Sequence, residues 1–158
     1  MAAAAAGGRV ELVGSVSDDE NGDAAVTELG RAGVGHAALL RTPIGARSLE
    51  AADVELALSY LSECRVLIVA EPLGEAPLRA AVDGASFHDA HLVVVRQPTD
   101  DAAVGLPDTA TVLEQPEDDA GAFAGLLGRY AARLEEGVSP ADAWREAIAE
   151  TGWEQAPA

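Results

Sequence analysis

Lysine is missing from this chain of 158 residues: all ten basic residues are arginine, set against 27 acids, and the net charge is −17. The first absence excludes Schiff-base chemistry and any lysine held against a phosphate. The charge balance gives a surface that repels phosphate backbones and anionic headgroups, so neither nucleic acid nor a membrane is an expected partner. One cysteine, Cys64, leaves no intramolecular disulfide and no cysteine metal cluster. It stands between a helix-like and a strand-like run and reads as a buried structural thiol. Aromatic residues make up only 4% of the chain. The core must then be built from Ala, Val, Leu and Ile, and because alanine buries little surface, the elements carrying it have to approach closely. No apolar run reaches the length of a membrane span. The opening MAAAAAGG lacks the basic and apolar regions of a signal peptide. A cytoplasmic protein is expected.

What is present is alternation. Val10–Val16 is a short apolar run closed by polar turn residues, which suits a buried strand. Asp18 or Asp19 can cap a helix from about Glu20 to Ala32, whose Ala25, Val26, Leu29 and Ala32 share a face. Gly33 stops it. His36–Arg41 reads as a second strand. Ser48–Glu63 reads as a helix with Val54, Ala57, Leu58 and Leu61 in a stripe. Val66–Ala70 and Leu92–Arg96 are fully apolar strands, with a helix over Glu75–Ser86 between them. An Asp-, Gly- and Pro-rich loop follows Gln97, and Ala110–Leu113 is a short last strand. Glu117–Glu136 reads as a long helix. Ser139, Pro140 and Asp142 open a final one that runs to about Glu150.

Strands alternating with helices predict an α/β fold: a three-layer α/β/α sandwich on a mainly parallel sheet of about five strands. The length suits a single domain over residues 9–150, preceded by a flexible or partly helical stretch 1–8 and followed by a tail 151–158.

The segment Val10–Val34, VELVGSVSDDENGDAAVTELGRAGV, resembles the "VG-x-VG-D-D-x-x-G … L-x-x-x-GV" stretch of ribokinase-like (PfkB) carbohydrate and nucleoside kinases. Gly14, Val16, Asp18, Asp19 and Gly22 stand where that pattern wants them, and Ser17 replaces a usual glycine. The resemblance implies a Rossmann-like core and, at Asp18, Asp19 and Gly22, a ligand-binding position. Ala2–Gly8 resembles the end of the helix that follows the family's sugar-binding Gly-Gly and Asn, so those residues, the first strand and the lid strands have no counterpart here.

Further on, LEEGVSPADAWREAIA resembles the stretch that follows the family's Gly-Ala-Gly-Asp. That motif implies an anion hole at a helix N-terminus and an Asp that takes the proton from the accepting hydroxyl. Asp118, Asp119, Ala120 and Gly121 occupy its place, with Gly121 at the catalytic Asp position and two carboxylates where ATP phosphates would be repelled. A second register deletes the anion hole altogether. Neither register supplies a catalytic base, and no catalytic residue is assigned.

Other constellations read structurally. The pairs Asp18/Asp19 and Asp118/Asp119 suit helix caps, and Asp100/Asp101 a solvated loop. His88 and His91 have metal-compatible spacing but no third ligand, so no metal is assigned. Trp144 reads as packing. The reading is a truncated ribokinase-like protein without phosphotransfer, acting as a binding or assembly module, as a homodimer or with another protein chain. No cofactor is expected in that role. The alternatives are a sugar or nucleoside kinase using Mg-ATP whose site a partner chain completes, and a small-molecule sensor or inactive receiver-like domain. The last would use Asp18, Asp19 and Glu20, with Glu71 where a receiver has its phosphorylated Asp.

Overall fold

Short apolar runs bounded by Gly, Pro and acidic turns set the alternation of elements, and the computed structural model follows it. It describes residues 1–43, 47–61, 63–97, 105–117 and 121–153. The order is α1 (Ala2–Ala5), β1 (Glu11–Ser17), α2 (Glu20–Arg31), β2 (Gly35–Thr42), α3 (Ala51–Ser59), β3 (Val66–Val69), α4 (Glu75–Phe87), β4 (His91–Arg96), β5 (Thr111–Glu114), α5 (Ala122–Glu135) and α6 (Pro140–Thr151). Every strand pairing is parallel, as the intervening helices require. The five strands form two ladders: β1 beside β2, and β3, β4 and β5 in that order.

The three-stranded ladder is covered on both faces. Successive residues of β4 point to opposite sides. Leu92 and Val94 meet Val54 and Leu58 of α3 and Ala80, Ala81 and Ala85 of α4. Val93 and Val95 meet Phe123, Leu126, Tyr130 and Leu134 of α5 and Ala143 and Ala147 of α6. This explains why LVVVR carries no polar alternation: neither face is wet. Alanines on α4 and α6 let those helices lie close to their neighbours, as a core poor in aromatics demands. Tyr130 and Trp144 pack edge to face, with ring centroids 5.3 Å apart. In the other ladder, α2 is the crossover that brings the chain from β1 back to β2 in parallel register, with Val13 opposite Ala38 and Ser17 opposite Thr42. The short α1 rests on α5. A Cβ at Gly128 would lie 2.6 Å from the Ala2 carbonyl carbon, so only glycine permits that approach.

Two helices are shorter than the sequence predicts. The run Ser48–Glu63 is helical only over Ala51–Ser59. At its start Asp53 accepts the Glu50 N–H at 2.9 Å and holds Arg47, which fixes residues 47–50 as an extended entry. At its end the N–H groups of Tyr60 and Leu61 bond three residues back, to Ala57 and Leu58, and tighten the last turn. The helix predicted from Glu117 begins at Ala122, because Gly121 has φ +71°, a left-handed conformation outside the α-helical region.

Candidate functional site

The turn after β1 was expected to carry function through Asp18, Asp19 and Gly22. The structure gives each a separate local task. Asp19 is the N-cap of α2: its Oδ1 accepts from Ser17 Oγ at 2.7 Å and from the Asn21 and Gly22 N–H groups, each at 2.9 Å. These bonds, Ser17's foremost, hold the carboxyl below the usual aspartate range. They also saturate the oxygen that a ligand would use. Asp18 is turned elsewhere. Its backbone N–H donates to Thr42 O at 2.8 Å, tying the end of β1 to the end of β2. Its carboxylate lies 3.5 Å from Arg41 Nη1, which also holds Asp23 at 2.7 Å. Gly22 is needed because α2 starts against the end of β1: a Cβ there would sit 2.9 Å from the Ser17 carbonyl carbon and closer still to its oxygen. The three residues are adjacent, but their polar groups do not converge on one point.

The other ends of the strands carry paired polar residues. Arg96, closing β4, bonds Glu114 of β5 through Nη2 at 3.1 Å, and Gln97 Nε2 donates to Gln115 Oε1 at 2.8 Å. Gly121 is the N-cap of α5 and contributes no side-chain cap. Asp118, Asp119 and Ala120, expected at this degenerate anion-hole position, lie outside the described residues, as do Asp100 and Asp101. Where the catalytic Asp of a kinase was aligned, the chain therefore has a glycine in a left-handed conformation and no acid side chain.

His88 and His91 are not brought together. His88 Nε2 shares a hydrogen with Leu58 O at 3.1 Å, whereas His91 Nε2 lies 2.8 Å from Thr111 Oγ1. Thr111 Oγ1 in turn sits 3.0 Å from Tyr130 Oη, giving a small network beneath β5. Burial pushes the His91 pKa down and the Tyr130 phenol up. Among the described residues no group of three His, Cys, Asp or Glu side chains is arranged to hold a metal ion. Cys64 is half-buried, and burial raises its thiol above the ordinary range, which opposes thiolate chemistry. Sequence reasoning missed the role of Arg41. Its two acid partners lie on a different element, and only the β1–β2 register puts Arg41 opposite Val16, beside the acidic turn.

No protein-family model and no curated protein matches the chain. Solved structures do. An E. coli protein assigned as a ribokinase II, in its apo form, superposes at a TM-score of 0.65 with 12% identity, covering 95% of this chain and 78% of that one. Fructokinase from Xylella fastidiosa matches at a TM-score of 0.49 with ATP bound, with 12% identity over 94% of this chain, and at 0.45 in a second structure, with 13% identity. Either way the chain spans 56% of the fructokinase's length. The alternating strands and helices, all-parallel ladders and two-sided helical cover are thus a ribokinase-like α/β fold.

Proposed function

We propose that this chain is a PfkB-related protein that transfers no phosphate and works as a binding or assembly module, alone as a homodimer or with another protein chain. The observation that carries the reading is the use made of the acids. Asp19 is consumed as a helix cap, Asp18 faces Arg41, and the position aligned with a kinase's catalytic base is Gly121. General-base catalysis needs a carboxylate within hydrogen-bond reach of the attacking hydroxyl, and a glycine cannot supply it. A lysine cannot stand in, since the chain has none. The fold is retained because its core and caps do not depend on that chemistry. The test is incubation with Mg-ATP and a panel of sugars and nucleosides. The expected result is no saturable turnover by the chain alone. Turnover that saturates with one acceptor overturns the reading in favour of a kinase.

A further inference from the structure

Resting on the reading as a binding module, we infer that the joined C-terminal ends of α3 and α4 form a docking surface for another protein that presents an apolar segment flanked by basic residues. The chain has only six aromatic residues, two each of Phe, Tyr and Trp. Four of them, Phe123, Tyr130, Trp144 and Trp153, belong to the core between the three-stranded ladder and α5–α6. The other two are almost entirely exposed: Tyr60 at 79% and Phe87 at 85%.

They lie at one place. His88 Nε2 and Leu58 O, 3.1 Å apart, clasp the end of α4 to the end of α3. Phe87 precedes His88 and packs edge-on to its ring at 5.2 Å. Tyr60 follows Leu58 by two residues. Leu56, one helical turn before Tyr60, shares the outer side of α3 and is 56% exposed. Aromatic side chains bury about 150–250 Å² each when covered and dominate interface energetics. A chain so poor in them has placed its two spare ones together in water, where they contribute nothing to its own core.

Charge decides the occupant. Glu55 on α3, Asp83 on α4 and Asp89 just after it border this joint and are exposed. Among the described residues none of the three makes a salt bridge. The nearby Arg9 is already taken by Glu63 at 3.0 Å. A second copy would bring the same acids to an isologous contact and repel. A partner with Leu or Phe side chains at the centre and Lys or Arg at the rim would fill the patch and neutralise its border.

The test uses the full chain and two synthetic helical peptides with the same Leu/Phe face, one flanked by Lys and one by Glu, followed by calorimetry. The Lys-flanked peptide should bind saturably and the Glu-flanked one should not. The double substitution Tyr60→Ser/Phe87→Ser should weaken binding by about tenfold or more while leaving the melting temperature in place, since both side chains are exposed. Glu55→Gln/Asp83→Asn should weaken binding and flatten its salt dependence. Glu20→Gln/Glu28→Gln, which removes equal charge from α2, should leave it unchanged. The inference is overturned by absent binding, by equal effects of the two charge pairs, or by binding indifferent to Tyr60→Ser/Phe87→Ser. It is also overturned by a dimer in sedimentation that dissociates on that double substitution. Phosphotransfer would overturn the module reading without altering the peptide result, and loss of the peptide result without phosphotransfer overturns only this surface.

Discussion

Replacing Gly22 by alanine should destabilise the fold, while the same change at Gly125 should stabilise it. Both glycines lie in helices, where alanine is intrinsically better by about 1 kcal/mol. They differ in what the new methyl meets. At Gly125 nothing lies within 4 Å, so the propensity gain stands, at about 0.5–1 kcal/mol. At Gly22 the Cβ would come 2.9 Å from the Ser17 carbonyl carbon and closer to its oxygen. Carbon atoms pack at about 3.5–4.0 Å, so the start of α2 must move away from β1 by more than about half an ångström. That movement lengthens the Asp19 cap bonds to Asn21 and Gly22, and no flexible side chain can give way instead. Overpacking of this kind costs about 1–3 kcal/mol, and more against backbone; after the propensity gain we expect a net loss of about 2 kcal/mol. For a chain of this size that is a melting temperature lower by about 4–8 °C, against a rise of about 1–4 °C for Gly125→Ala. Circular dichroism melts with matched urea titrations measure both. A Gly22→Ala variant as stable as the parent would refute the argument that Gly22 serves the strand–helix junction.

Further expectations concern the cap, the core and the acids. Asp19→Asn should keep most of the stability lost in Asp19→Ala, because Asn caps as well as Asp; equal loss in both would point to a need for the charge itself. Leu126→Ala, at a position with 0% exposure between β4 and α6, should cost about 2–5 kcal/mol in a urea titration. Tyr130→Phe should cost only about 1 kcal/mol, since Thr111 keeps its contact with His91. The carboxyl of Asp53 is held below its usual range, first by the hydrogen bond from Arg47 and then by the Glu50 N–H. A depressed folded-state pKa contributes stability that is present above the unfolded value, about 3.9, and is lost as pH falls through the folded one. Asp53→Asn should therefore lessen the fall in urea midpoint between about pH 5 and pH 2, and an unchanged acid limb would contradict the assignment.

The parts of the fold that could be read from the sequence are those set by local pattern. VLIVA and LVVVR are apolar without alternation because helices cover both their faces, and Ser139-Pro140 opens α6 because a hydroxyl caps and proline fits the first turn. Strand pairing was less legible. Nothing in Val10–Val16 says that its ladder has two members while Val66–Val69 joins one of three, since pairing depends on long-range contacts. The limits of α3 were hidden because its entry is fixed by Arg47 and Asp53, not by a glycine or proline signal. At the acidic turn the capping role of Asp19 follows from its place before an apolar-periodic run, but its neighbour's partner, Arg41, depends on the β1–β2 register. The exposure of Tyr60 and Phe87 could not be read at all, because a large apolar residue in an amphipathic helix has the same sequence appearance in a core and on a surface.

Phosphoryl transfer separates the two descriptions of this chain most sharply. Mg-ATP incubated with the full chain and pooled sugars and nucleosides, followed by phosphorus NMR, reads transfer to any hydroxyl without presuming the acceptor. A chain whose Asp19 is a cap and whose base position is Gly121 should leave ATP unchanged beyond its rate in buffer. A phosphorylated acceptor, formed at a rate that scales with protein and saturates with substrate, would contradict it.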